Sequence, residues 1–156
     1  MRGFQNKARA YALKLLSYRG RSERELEERL LKKGITKSET SSTIRYFKEI
    51  GLVDDMSLAE TLKRETLTTR LLSQNGAKRY MLNRGIPRGI VDLVFSSHED
   101  TDFDNAMRIV EKKLKVLGKY PQAVARRRLY NFLLRRGYSS GTIMKVLRDN
   151  KLKEED

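Results

Sequence analysis

The chain has 156 residues, of which 34 are Lys or Arg and 20 are Asp or Glu, so its formal net charge is +14. It contains no cysteine, which excludes disulfide bonds, thiolate metal sites and a cysteine nucleophile, and which fits a reducing cytoplasm better than secretion. The longest uncharged apolar runs have about four residues, such as residues 10–13, far short of the ~20 that a membrane-spanning helix needs. We therefore expect a cytoplasmic protein with no membrane partner.

Apolar residues recur at helical spacing along the chain, and no stretch alternates apolar and polar residues for long enough to predict a strand. Two capping-box patterns, at residues 22–25 and 36–39, predict helix starts, because a hydroxyl side chain accepts an early backbone N–H and a glutamate reaches back. The residues that carry the helical spacing include Ala10, Leu13, Leu16, Leu26, Leu30, Ile44, Phe47, Leu114, Leu117, Leu129 and Leu133. The sequence thus predicts an all-α fold.

Three glycines reveal an internal repeat. Gly34, Gly85 and Gly137 each follow two apolar residues and a basic or near-basic pair, and they stand 51 and 52 residues apart. A glycine that ends a helix explains each of them alone, but not their equal spacing. We therefore expect three tandem three-helix repeats, which would stack into an elongated array. The predicted boundaries are 1–53, 54–98 and 99–150, followed by an acidic tail at 151–156.

The positive charge is unevenly distributed. Residues 1–51 hold 13 bases and 6 acids, whereas residues 52–104 hold 7 bases and 9 acids. Residues 105–148 hold 12 bases and a single acid, Glu111. Because such a concentration of like charge is repulsive within the folded chain, it points to a polyanionic partner for the third repeat.

The basic residues of the third repeat are therefore the candidate binding site for a polyanion such as DNA. Aromatic residues lie between them, and basic grooves with aromatic neighbours are typical of single-strand binding. The alternative is that Phe132 and Leu133 belong to the core and the arginines form a solvated face. The candidate residues are Lys112, Lys113, Lys115, Lys119, Arg126, Arg127, Arg128, Arg135 and Arg136.

One acidic stretch resembles a calcium-binding loop. Asp100, Asp102 and Asp104 would supply the first acidic ligands and Glu111 the last, but the glycine that such a loop needs at its sixth position is replaced by Asn105. The simpler interpretation is an acidic link in which an aspartate caps the next helix. We expect no metal site here.

Catalytic motifs are also missing from the sequence. Asp54 and Asp55 could suggest a metal-dependent nuclease, but they precede a predicted helix start, where capping is the simpler role. His98 is the single histidine, and the sequence has neither a Gly-x-Ser-x-Gly motif nor a phosphate-binding glycine loop. We predict a protein that is not an enzyme and that needs no cofactor.

Several short motifs match a known family. Two of the motifs lie in the first repeat, at Leu15–Leu26 and Leu30–Ile35, and a third follows them at Gly51–Asp55. The second repeat contains two shorter motifs, Gly76-Ala77 and Leu82–Ile86. These motifs resemble those of the RecX family of regulatory proteins over roughly residues 8–148. They are strongest in the first repeat and weakest in the third. In the motif that follows Gly51–Asp55, Leu58 stands where the family usually has an aromatic residue.

The resemblance implies a bacterial protein built of tandem three-helix repeats that modulates the RecA recombinase. Members of this family dock along the groove of the RecA–single-stranded DNA filament, where they block extension and depress ATP hydrolysis and strand exchange. The expected partners are therefore the RecA filament and single-stranded DNA, with duplex DNA as a further candidate. We expect a monomer. Two alternatives stay open: a stand-alone DNA-binding protein with helix-turn-helix-like units, and a helical-repeat adaptor that binds no nucleic acid.

Overall fold

The computed structural model describes residues 2–97 and 99–152, and the described part of the chain is built from helices without a strand. His98, which the sequence gives no catalytic motif, and residues 153–156 of the predicted acidic tail lie outside the described residues. The helices are α1 (Arg2–Tyr18), α2 (Glu23–Lys32), α3 (Lys37–Glu49), α4 (Asp55–Arg64), α5 (Gln74–Asn83), α6 (Arg88–Phe95), α7 (Asp102–Leu117), α8 (Gln122–Arg135) and α9 (Ser140–Asp149). A π-helical turn, Glu65–Thr69, continues α4. The prediction of an all-α fold made of three tandem three-helix repeats is confirmed.

The three glycines end the second helix of each repeat in the same way. Gly34, Gly85 and Gly137 have φ values of +93°, +82° and +94°, a left-handed conformation that favours glycine because it has no Cβ. In the first repeat, the Gly34 N–H donates to the Leu31 carbonyl, and the next N–H, that of Ile35, donates to the Leu30 carbonyl. The same pair of hydrogen bonds is made around Gly85 and Gly137. The repeated sequence pattern is therefore a repeated helix-ending turn.

Packing divides the chain into two compact units. The first contains the residues up to Leu62 together with Met81–Ser96, and the second contains Lys63–Tyr80 together with the residues from Ser97 onward. In the first unit, helices α1, α2 and α3 pack around a core of Ala12, Leu15, Leu26, Leu30, Ile44, Phe47 and Val53. In the second, α7, α8 and α9 pack around Ala106, Ile109, Val110, Leu129, Leu133, Tyr138, Ile143, Val146, Leu147 and Leu152. The repeat boundaries at 53/54 and 98/99 stay a prediction.

A serine and an aspartate join the first repeat to the second within the first unit. The Ser22 hydroxyl accepts the Glu25 N–H at 3.1 Å as a helix cap and donates to the Arg84 carbonyl at 2.5 Å. Asp55 accepts the Glu23 N–H at 2.9 Å, and burial raises the pKa of this carboxyl. The Arg84 side chain then closes the joint by donating to Glu25 at 3.0 Å and to the Gly20 carbonyl at 2.8 Å.

The second joint, within the second unit, repeats this arrangement with one replacement. Ser73 stands where the first joint has Ser22, and its N–H and hydroxyl donate to the Arg136 carbonyl at 3.2 and 3.3 Å. Asp102 accepts the Gln74 N–H at 2.8 Å, as Asp55 does in the first joint. However, the position of Glu25 is taken by Gly76, so no carboxylate lies in the corresponding place beside Arg136.

Removal of the Arg84 side chain tests the first joint. Arg84 and Glu25 have side chains that are only 12% and 17% exposed, so Arg84→Met would leave a nearly buried carboxylate with one fewer partner. We expect the free energy of unfolding to fall by about 2 kcal/mol, measured by urea unfolding. The matched control is Arg24→Met, because the Arg24–Glu28 pair is 64% and 67% exposed and should contribute less than about 0.5 kcal/mol. Equal losses for both variants would contradict the assignment.

Candidate functional site

Helices α7 and α8 form the two walls of a basic groove of approximately 690 Å³ in the second unit. Each helix contributes residues spaced i, i+3, i+4, i+7 and i+8, which is one face of a helix. Residues Thr69, Arg70 and Leu71 also line the groove. The other lining residues are Ile109, Lys112, Lys113, Val116 and Leu117 of α7, Arg128, Asn131, Phe132 and Arg135 of α8, and Arg136, the C-cap of α8. This set of 13 residues is called the basic groove below.

The basic groove combines cations with apolar residues and contains no carboxylate. Of its six cationic side chains, Arg70 pairs with Glu65 at 3.3 Å. The other five make no ion pair with any carboxylate of the described chain; they are Lys112, Lys113, Arg128, Arg135 and Arg136. Its apolar residues are Leu71, Ile109, Val116, Leu117 and Phe132. Because closely spaced cations repel one another, the groove favours an anionic partner.

The cations are held partly by the aromatic ring of Phe132. The Lys113 ammonium lies 4.0 Å from the ring centroid and the Arg136 guanidinium carbon 4.7 Å from it. Such contacts stabilise a cation by about 0.5–1 kcal/mol at partly exposed sites. Arg128 makes a similar contact with Tyr120, at 4.5 Å. The aromatic residues therefore position the charges of the groove.

A strained segment lines the groove beside the two helices. The π-helical turn Glu65–Thr69 leads into Leu71, which has a φ of +52°, an uncommon conformation for a residue with a branched side chain. Two side chains from the end of α8 hold this segment. Arg136 donates to the Arg70 carbonyl, and the Tyr138 hydroxyl donates to the Leu71 carbonyl at 2.6 Å. Backbone strain of this kind persists where the surrounding structure fixes it, often at functional sites.

Loss of the Tyr138 hydroxyl tests how far it holds this segment. Burial raises the pKa of this hydroxyl, so it stays protonated and able to donate at any pH used for unfolding. We expect Tyr138→Phe to lower the free energy of unfolding by about 1–2 kcal/mol, because the Leu71 carbonyl loses its donor. Tyr130→Phe is the control, since Tyr130 is partly buried and its hydroxyl makes no hydrogen bond to the described chain. If the two variants unfold alike, the hydroxyl does not hold the segment.

The structure brings together five of the nine residues that the sequence predicted as a site. Lys112, Lys113, Arg128, Arg135 and Arg136 line the basic groove. The other four lie outside it. Lys115 and Arg127 are exposed, and Lys119 lies 5.3 Å from the ring of Tyr120. Arg126 is partly buried and donates to the Met144 sulfur at 3.2 Å.

Sequence reasoning missed Arg70 and Leu71, because they belong to the second repeat and reach the groove only through the fold. One signal pointed to this region: the chain between Gly51 and Ser73 has no glycine and no proline to end α4. The π-helical turn ends the helix there instead. Sequence periodicity does not predict such a turn, because it inserts one residue into an otherwise regular helix.

The first repeat carries a different charge pattern on the same helix face. The two repeats can be compared by aligning their helix-ending glycines, Gly34 and Gly137. In this alignment α2 has Glu25, Glu28, Arg29 and Lys32 where α8 has Arg128, Asn131, Phe132 and Arg135. These residues line a smaller pocket of approximately 240 Å³ together with Arg19 and Arg21. Glu25 pairs with Arg19 and Arg84, and Glu28 pairs with Arg24. The charge of this surface is thus partly neutralised by two carboxylates, whereas no carboxylate lines the basic groove.

The acidic residues that could suggest a metal site act as helix caps. Asp54 accepts the Ser57 N–H at 3.1 Å, and Asp55 and Asp102 close the two joints. Asp102 is the first residue of α7, which also contains Asp104 and Glu111, so these residues do not form a calcium-type loop. Within the described residues, no three His, Cys, Asp or Glu side chains are close enough to hold a metal ion. In the same part of the chain, no helix is long and apolar enough to span a membrane.

Two family models match the chain. The model of the first three-helix domain of RecX matches residues 8–47, and the model of the third three-helix domain of RecX matches residues 100–147. The third repeat, where the sequence motifs are weakest, is thus matched by a model of its own.

Curated relatives and solved structures give the same family. The regulatory protein RecX of Streptomyces coelicolor is 29% identical over 95% of this chain and 79% of its own length. That of Clostridioides difficile is 28% identical over 94% of this chain and 68% of its own length. The crystal structure of RecX from Lactobacillus salivarius superposes with a TM-score of 0.76 at 21% identity, covering 97% of this chain and 99% of the other. This superposition supports the fold.

Proposed function

Because the chain belongs to the RecX family of regulatory proteins, we propose that it regulates the RecA recombinase by binding the RecA–single-stranded DNA filament. The contact surface is the basic groove of the second unit. Binding there inhibits or modulates filament extension, ATP hydrolysis and strand exchange, and so acts in recombination and DNA repair. This role places the protein in the bacterial cytoplasm and requires neither a cofactor nor catalysis by the protein itself.

The observation that carries this proposal is the set of five cations without an ion-pair partner. Two lysines of α7, two arginines of α8 and its C-cap Arg136 line one groove, and no carboxylate lines it. A polyanion that binds in the groove would relieve the repulsion among these cations. A RecA–DNA filament offers both phosphate groups and protein surface. Arg126, Arg127, Lys115 and Lys119 lie outside the groove and would contribute to the long-range attraction rather than to the contact.

The test is the DNA-dependent ATP hydrolysis of RecA, measured while this protein is titrated onto filaments that have already formed. Binding of naked single-stranded DNA is measured in parallel in the same buffer, since affinity for phosphates depends steeply on salt. We expect hydrolysis to fall at protein concentrations that leave naked DNA largely unbound. An unchanged hydrolysis rate would overturn the proposal.

The naked-DNA measurement also decides the main alternative. A fall in hydrolysis that follows only the occupancy of the DNA strand would indicate a stand-alone DNA-binding protein that competes with RecA. In that case, duplex binding would be examined next, because Lys37 and Arg88 are exposed at the starts of α3 and α6.

A further inference from the structure

We propose that the basic groove binds an acidic amphipathic helix of a protein partner, rather than nucleic acid. The inference rests on the proposed function, since it names the chemistry of the filament component that this groove contacts. Two features of the groove carry it: the shape of its walls and the apolar character of its lining.

The walls of the groove suit a third helix. Residues 109–117 of α7 and residues 128–136, which end α8 and include its C-cap, each present side chains at helical spacing. Each set extends over about 12 Å, at a rise of about 1.5 Å per residue, which matches about two turns of a bound helix. Helices that bind in such grooves place an apolar stripe against the lining and polar residues at the edges.

Among the exposed residues that line the groove, one is aliphatic. Val116 is 63% exposed, although its immediate neighbour Leu117 packs partly against the core. Leu71 and Ile109 are the other aliphatic side chains of the groove. Water leaves such a surface most favourably when apolar side chains cover it. If phosphate groups occupied the groove, the exposed Val116 side chain would gain no apolar contact.

The aromatic rings near the groove are already used by cations. Base stacking needs an open ring face. Phe132, which is the aromatic residue of the groove lining, has both Lys113 and Arg136 over its ring. Tyr120 is similarly covered by Arg128, and Tyr80 by Arg70 at 4.7 Å. The cations that surround the aliphatic lining are therefore placed for carboxylates at the edges of a helix whose apolar face lies on Val116.

The probe is a fluorescein-labelled peptide of about 16 residues, with leucines at positions i, i+3, i+4 and i+7 and glutamates on both sides of that stripe. A second peptide has the same composition but alternates its leucines, so that they do not share a helix face. A labelled thymidine oligonucleotide serves as the nucleic-acid probe. Binding of each probe to the full chain is measured by fluorescence anisotropy at an ionic strength of about 0.15 M.

The decisive variant is Val116→Lys, which removes apolar lining and adds a positive charge. We expect it to bind the amphipathic peptide about fivefold to tenfold more weakly, while its affinity for the oligonucleotide stays equal or rises. Leu134→Lys is the matched control. It makes the same change of charge on α8 at a residue that is 49% exposed and outside the groove, and it should bind the peptide like the unmodified chain.

Three results would overturn the inference. If Val116→Lys and the unmodified chain bind the amphipathic peptide with equal affinity, the groove recognises charge alone. The same conclusion follows if the unmodified chain binds the two peptides with equal affinity. Weaker oligonucleotide binding by Val116→Lys, whatever happens to the peptide, would make nucleic acid the occupant. These results leave the proposed function standing if RecA hydrolysis still falls, whereas an unchanged hydrolysis rate overturns the proposed function whatever the peptide does.

Discussion

Reversing two charges of the basic groove, by Arg128→Glu together with Arg135→Glu, is expected to weaken binding to the RecA–DNA filament by about 30-fold to 100-fold. Each substitution replaces an attraction by a repulsion at close range, which typically costs about tenfold in affinity. Both side chains line the groove, and Arg135 is exposed at the end of α8, so the fold should be unaffected. The measurement is the concentration that halves RecA ATP hydrolysis, with helicity followed by circular dichroism.

The matched control carries the same change in net charge outside the groove. Arg127→Glu together with Arg148→Glu reverses two exposed arginines, on α8 and α9, that do not line it. Because exposed charges outside the groove do not touch a partner bound in it and are screened by salt, we expect a loss of less than about fivefold. If the control loses as much as the groove variant, binding depends on total charge and the groove is not the site.

Substitution of a single glycine is expected to give the largest loss of stability. Gly76 lies against the backbone in the second joint, and a Cβ placed there would be 2.3 Å from the Arg136 carbonyl oxygen. Because that oxygen belongs to the backbone and accepts two hydrogen bonds from Ser73, it cannot rotate aside. We expect Gly76→Ala to lower the free energy of unfolding by about 2–4 kcal/mol, measured by urea unfolding.

The control for this substitution is Gly141→Ala in the same unit. Gly141 is the second residue of α9, and a Cβ there would meet no atom within 4 Å. Since alanine favours a helix more than glycine does, this variant should be as stable as the unmodified chain or more stable by up to about 1 kcal/mol. A loss below about 0.5 kcal/mol for Gly76→Ala would show that the joint can shift to accept a side chain.

Much of the fold could be predicted because its signals are local. The serine and glutamate of residues 22–25 form the predicted capping box, in which both reciprocal hydrogen bonds are present. At residues 36–39 only half of the predicted box is seen: Thr36 accepts the Glu39 N–H at 3.2 Å. The helix-ending glycines are equally local, since their conformation depends on a missing Cβ. Patterns of this kind act within a few residues and are visible in any single sequence.

The candidate site could be predicted only in part, because its residues are separated in the sequence. The charge excess of residues 105–148 identified the right helices, but charge alone does not say which face of a helix a base occupies. Helical spacing puts Arg128 and Arg135 on one face but also puts Arg127, eight residues before Arg135, close to it, and nothing local places Arg70 beside them. The function of Ser73 was also hidden, since its partner lies 63 residues away.

The second joint has a consequence for amide hydrogen exchange. Asn105 of α7 donates from its buried side chain to the Leu67 carbonyl at 2.9 Å, and Tyr138 and Arg136 bond to the carbonyls that follow. The end of the first helix of the second repeat is thus bonded to helices of the third. We therefore expect the backbone amides of residues 65–73 to lose their protection from hydrogen exchange together with the amides of α7 and α8. The amides at the start of α4 should exchange independently of them. We therefore expect the segment that opens as one unit to begin within the second repeat, and not at the predicted repeat boundary at 98/99.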